Sequence, residues 1–226
     1  DGKPEVVVKN VTGGGGVVGY NFIAERSKND GETMGFFTFS PLAQLLKDPV
    51  IRVTYDELTV LFGLRQTQML YMRKDISPGM TKPSDIAKAS GFKFGGLRQT
   101  STMDIRSRMS FDLLGIPFIY VTGFRGLSKA TAAMVRNEIQ VSFGSAASYY
   151  ASIFPTMVKT GEALPLWQYS VPQPDGTFLK NPRMPEFPSF VELYKEVRGK
   201  MPSGKHWDAI KFLNRVIGTM SRAVVM

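Results

Sequence analysis

The side chains that could carry chemistry in this chain are few, and most of them do not form a set. His206 is the only histidine and there is no cysteine. That excludes disulfides and thiolate nucleophiles, and it leaves a zinc site without its usual nitrogen and sulfur ligands. His206 stands beside Trp207 at the start of a helical pattern, with no Gly-x-Ser-x-Gly anywhere in the chain, and reads as a surface or capping residue. Asp56 and Glu57 are adjacent, and neighbours on one chain rarely face one another as an acid and base must. The run Thr12-Gly-Gly-Gly-Gly16 sits between a strand pattern and a helical one. It has no glycine at position 18 for a dinucleotide fingerprint and no Gly-Lys-Ser/Thr for a phosphate loop. Its simplest reading is a tight turn where glycine tolerates positive φ, and a second is a row of backbone amides lining a cleft.

What remains is a recurrence of small polar residues where strands turn into helices: Thr38 with Ser40, Thr100 with Ser101, Thr122 with Gly123, and Ser142 with Ser145. Each alone is an ordinary helix cap. Brought to one edge of parallel sheets, they would form a rim of neutral donors and helix N-termini suited to a carboxylate, with no catalytic group among them. Residues 122–126 are the sharpest case, because an apolar strand runs straight through them into a helix whose first N–H groups are free.

These turns are positioned by alternating short strands and helices. Strand patterns fall at 5–8, 34–39, 60–64, 68–73, 92–97, 117–121, 139–143 and 164–169. Helical patterns fall at 17–26, 41–47, 84–90, 101–114, 128–137, 146–159 (interrupted at Pro155), from Ser189, and 206–220. Ser101 with Asp104 has capping-box spacing, as does Ser189 with Glu192. Trp207, Ile210, Leu213, Ile217 and Met220 make one apolar stripe. Residues 172–188, rich in proline, read as a surface excursion. The alternation predicts an α/β fold with mostly parallel sheets. The turn-rich stretch 74–83 and the change near 164 predict two lobes, one from 1–76 with 165–226 and the other from 77–164.

The chain carries 28 basic and 19 acidic residues, a formal charge of +9. The cations are scattered in ones and twos with no stripe of interleaved aromatics, which argues against nucleic acid and leaves an acidic membrane surface, small anions or a generally basic surface. No apolar run reaches the roughly 20 residues of a membrane helix.

Several stretches in order resemble the extracytoplasmic solute receptors of tripartite tricarboxylate transporters, the Bug-type receptors. They are Val6 to Gly19 with its glycine loop, Asp30-Gly-Glu-Thr-Met-Gly35, Val121-Thr-Gly-Phe-Arg-Gly126, Asn137-Glu-Ile-Gln140, and Pro185-Glu-Phe-Pro-Ser-Phe-Val-Glu192. Asn137 stands where the family usually has glycine. The resemblance implies a type II periplasmic binding protein-like α/β fold, with two lobes and a ligand cleft between them. It implies a non-enzymatic, monomeric receptor in the periplasm, without cofactor or metal, that passes a small carboxylate to membrane subunits of a transporter. A ligand-sensing regulatory domain and a hydrolase are the alternatives. The positions carried over to the site are Gly14, Gly15, Thr38, Ser40, Thr100, Ser101, Asp104, Thr122, Gly123, Phe124, Gly126 and Ser145. By the same resemblance, the family's first strand and Gly-Gly loop would precede these residues, and its last helix would follow them.

Overall fold

Strands buried on two faces read as unbroken apolar runs, and strands with one wet face alternate. Both kinds occur here and belong to two different sheets. The structure, a computed structural model, describes residues 2–3, 5–28, 30–38, 41–175, 177–220 and 222–226. In chain order the elements are α1 (Val17–Arg26), β1 (Gly35–Thr38), α2 (Pro41–Leu45), β2 (Val60–Leu64), β3 (Gln68–Arg73) and β4 (Lys93–Gly95). They continue with α3 (Thr102–Leu114), β5 (Ile119–Val121), α4 (Leu127–Val135), β6 (Val141–Ser145), and α5 (Ala146–Ser148), which runs into a π-helical stretch at Tyr149–Val158. After these come β7 (Ala163–Gln168), the two-residue pair β8 (Val171–Pro172) and β9 (Phe178–Leu179), then α6 (Phe190–Arg198), α7 (Lys205–Thr219) and β10 (Arg222–Val225).

One sheet has the order β1-β10-β2, and the other β5-β4-β6-β3-β7. In β3, Leu70 and Met72 join a core with Phe94, Phe111 and Trp167, while Met69 and Tyr71 join a second core with Met134, Tyr149 and Ile153 on the opposite face. The first core also takes in Phe190 and Leu193 of α6 and Trp207 and Ile210 of α7. The five-stranded sheet thus includes β3, ahead of the expected boundary at 76, and β7, across the one at 164. The three-stranded sheet is covered on one side only, by Tyr20 of α1 with Phe37, Ala223 and Val225. Among the described residues no helix is long and apolar enough to cross a membrane.

The ladders depart from the expected parallel sheets. Only β4 with β5 and β4 with β6 are parallel; β3 runs antiparallel to β6 and β7, and β10 antiparallel to β1 and β2. The departure comes from pairing between segments distant in sequence: the three-residue link from β2 to β3 carries the chain from one sheet to the other. It starts β3 at the sheet edge where β6 ends, with Gln68 opposite Ser145.

Residues 5–8 form no strand: Val6, Val7 and Val8 are 77%, 82% and 82% exposed, because a valine run makes a strand only where a ladder partner exists. The helix expected over 128–137 stops at Val135, and Asn137 takes a left-handed φ of 59°. The 172–188 stretch is partly internal. Gln168 Nε2 donates to the carbonyls of Met184 and Phe187 (3.0 and 3.2 Å), its Oε1 accepts from the Asn181 amide (2.9 Å), and both Met184 and Phe187 are buried. Gly115 ends α3 with φ 64°, as expected of a glycine stop.

The capping box at α6 forms as read: Ser189 Oγ accepts from the Glu192 amide (3.1 Å) and Glu192 Oε2 from the Ser189 amide (2.6 Å). Ser189→Ala should cost about 1 kcal/mol and lower the melting temperature by about 2–4 °C, measured by calorimetry.

Candidate functional site

In the parallel part of the five-stranded sheet, β4, β5 and β6 bring their carboxyl ends to one edge. The loops after β4 and β5 zip together there, Gly96 N donating to Val121 O (2.8 Å) and Gly123 N to Leu97 O (3.2 Å). Facing this edge is the end of the three-stranded sheet where Thr38 pairs with Arg222 and Arg222 with Leu64. Between the two edges lies a cavity of about 690 Å³. Thr38, Gln66, Arg222, Gly13 and Gly16 line one side of it, and Gln68, Leu97, residues 101–103, Arg125, Gly126 and Ser145 the other. This is the place where ligands bind in open α/β sheets.

The loop after β4 is held from inside. Asp104 on α3 is fully buried, and its Oδ1 accepts from the Leu97 amide (2.9 Å) and the Tyr120 hydroxyl (2.7 Å). The capping box expected of Ser101 and Asp104 does not form, because the carboxylate turns back to Leu97 and Ser101 makes no side-chain cap. Gly96 is obligatory here: a Cβ on it would run into the Asp104 carboxylate. Burial pushes the Asp104 carboxyl pKa up, against hydrogen bonds from Tyr120, Ser101 and the amides of Arg98 and Leu97. Arg108 completes the brace, its Nη2 donating to Gln99 O (2.6 Å) while its guanidinium lies 4.8 Å from the Tyr120 ring centre.

The electrostatics of the wall favour an anion. Gly16, Ser101, Gly126 and Ser145 are the N-caps of α1, α3, α4 and α5, and the first three make no side-chain cap bond. The caps of α1, α3 and α4 line the cavity, which puts the positive ends of those helix dipoles beside it, while the Val17 N–H at the start of α1 is taken by the Gly14 carbonyl. Lys9, Arg125 and Arg222 line the cavity from its two sides against one carboxylate, Glu32, among the described residues. Arg222 is half-buried, which lowers its pKa, yet a guanidinium keeps its charge. It donates to Gln66 Oε1 (3.2 Å) and lies 5.6 Å from the Phe36 ring centre.

No family model matches the sequence, and no curated protein matches it. Among solved structures, the periplasmic binding protein BugD aligns over 94% of this chain and 71% of its own, with a TM-score of 0.62 at 14% identity. MatC from Rhodopseudomonas palustris with bound malate aligns over 91% of this chain and 69% of its own, with a TM-score of 0.61 at 17% identity. The chain has the Bug-type periplasmic binding-protein fold. A third structure, a periplasmic transporter, has a TM-score of 0.59 at 19% identity over 94% of this chain and 71% of its own.

On this binding-protein fold the expected site residues divide. Thr38, Ser101, Gly126 and Ser145 come together in the cavity wall. Gly14 and Gly15 lie in the turn Gly14–Gly16, whose flanks Gly13 and Gly16 make the contact with the cavity. Asp104 braces the loop from behind, Thr122 and Gly123 are exposed outside the wall, and Phe124 packs beside the core of Met134 and Tyr149. Ser40 falls outside the described residues. His206 is exposed at the start of α7, away from the cavity. Arg125, Arg222, Gln66 and Gln68 escaped the sequence reading. Arg125 was visible inside the Phe-Arg-Gly triplet, whereas Arg222 carries no local signal.

Thr100 has a different role from the one expected. Its hydroxyl donates to Asp48 Oδ2 (2.5 Å), which also accepts from Arg98 Nη1 (2.7 Å). Asp48 follows α2, and the neighbouring Ile51 and Val53 pack on the core of the three-stranded sheet, so this contact ties that side of the molecule to the loop between β4 and α3. Burial raises the Asp48 pKa, but Thr100, the Val50 amide and Arg98 together outweigh it, and the net shift is downward.

Two outcomes follow. Asp104→Ala should cost about 2–4 kcal/mol in denaturant melts, since it leaves the buried Leu97 amide and Tyr120 hydroxyl without an acceptor. Asp48→Asn should cost about 2 kcal/mol near neutral pH. Because the folded-state pKa of Asp48 lies below its unfolded value of about 3.9, that contribution is complete above the unfolded value and fades as pH falls through the folded one. Wild type and Asp48→Asn should therefore converge in stability in acid; a constant difference across the pH range would exclude the ion pair as its source.

Proposed function

We propose that this chain is a solute-binding receptor for a small carboxylate such as a di- or tricarboxylic acid, held in the 690 Å³ cavity between the two sheets. The observation that carries the reading is the meeting around one cavity of the N-termini of α1, α3 and α4 with Lys9, Arg125 and Arg222, against a single carboxylate among the described residues. Neutral donors from Thr38, Ser101 and Ser145 set the orientation of the ligand, and the guanidinium groups pair with its carboxylates. The malate held by MatC is of this chemical class. The lobes follow the sheets, with crossings at 65–67 and between α7 and β10, and the Asp48–Arg98 pair latches them when they close by a hinge motion. Such a receptor works in the periplasm and hands its ligand to the membrane subunits of a tripartite transporter.

Calorimetric titration with a panel of di- and tricarboxylates tests the reading. At least one should bind, and Arg222→Gln and Arg125→Gln should each weaken it roughly tenfold or more. No heat from any member of the panel at millimolar concentration would sink the proposal, as would full affinity in both variants.

A further inference from the structure

One strong cation has no place in that cavity. Arg106, on α3, is 2% exposed. Its Nε donates to Gln68 Oε1 (3.0 Å), as does Nη2, and its Nη1 donates to Asn214 Oδ1 (2.8 Å). The Tyr169 ring covers one face of the guanidinium, 4.0 Å from its centre. Every acceptor is a neutral amide. Among the described residues no carboxylate pairs with it. Burial pulls its pKa down to about 10, which leaves it protonated at neutral pH. Buried charges are ordinarily paired or neutralised, and this one is neither. Three of its five N–H groups are used in these bonds, so two are left without an acceptor among the described residues.

Arg106 lies in the wall of a second cavity, of about 410 Å³, that adjoins the main one across residues 66–68. Arg65 and Lys180 stand in the same wall, with the amides of Asn181 and Asn214, and no Asp or Glu is part of it. Lys180 reaches Glu192 outside the cavity at 3.4 Å, in a pair whose two side chains are 35% and 56% exposed. Such an exposed contact holds the lysine weakly.

We infer that this second cavity is an oxyanion site, in which a phosphate or carboxylate group takes the two unused N–H groups of Arg106 while Arg65 and Lys180 close over it from the rim. The planar fork of a guanidinium matches either group. Gln68 carries Arg106 on its Oε1 and also lines the main cavity, as do Gln66, Thr67 and Ile217, so the two sites share a wall.

The test titrates the whole chain with inorganic phosphate by calorimetry and thermal melting, with acetate in parallel. Binding of phosphate, or of acetate in its place, is expected, and which of the two binds assigns the group. The rim double variant Arg65→Gln/Lys180→Gln alters one exposed and one half-exposed position and should fold normally while weakening the anion roughly tenfold. Arg106→Gln, checked for native circular dichroism, should abolish binding. Arg125→Gln and Arg222→Gln, in the main cavity, should leave it unchanged, which separates this site from the proposed carboxylate cleft. Absence of binding for both anions at roughly 10 mM, or binding that survives the rim variant but is lost in Arg125→Gln and Arg222→Gln, would overturn the inference.

Discussion

The cleft of this protein rests on one buried carboxylate. Asp104 has no cation beside it; a backbone amide and a phenol take the place of water around its Oδ1. A buried acid of this kind is costly unless the groups around it are held still, and here they are. The Leu97 amide belongs to the loop after β4, the Tyr120 hydroxyl to β5, and Asp104 itself to α3, so one atom ties three elements at the point where the sheet meets the cavity. Gly96 is the geometric condition for this arrangement, since a side chain there would occupy the carboxylate's position.

With that loop set, the N-termini of α3 and α4 are set as well, and the electrostatic character of the cavity follows. The helix dipoles and the guanidinium groups act over a few ångströms in a partly dry space, where they are stronger than at an open surface. A basic chain of charge +9 is not in itself selective. What sets this cavity apart from the general surface is that its cations, such as the half-buried Arg222, stand in a shared wall with neutral donors. Asp48 then sets a limit of its own: by engaging Thr100 and Arg98 it converts residues suited to a ligand into a tie between the α2 side of the molecule and the loop after β4.

Much of the fold was legible in the chain. Helices at 17–26 and 206–220, the capping box at Ser189, the stop at Gly115 and the buried run at 68–73 all appear where periodicity and punctuation place them. These features depend on residues close in sequence. Strand direction did not follow, because it depends on which distant segments pair, β3 with β6 and β7, and β10 entering the three-stranded sheet from the far end of the chain. Residues 5–8 have the composition of a strand and form none, for want of a partner. Gln168 draws Met184 and Phe187 inward from a stretch whose prolines suggest only a surface loop.

By itself, then, the sequence determined the class of the fold, the turns at which helices begin, and the kind of chemistry available: neutral hydroxyls, amides and cations, without thiol or paired histidine. Local spacing is enough for that, since caps and amphipathic faces involve residues three or four apart. Tertiary structure alone decided which of those turns share a cavity. It placed Ser101, Gly126 and Ser145 on one wall, turned Asp104 inward, used Thr100 to meet Asp48, and brought Arg222 from the last strand opposite Arg125. Those meetings are long-range contacts formed by strand order and packing, and no spacing along the chain encodes them.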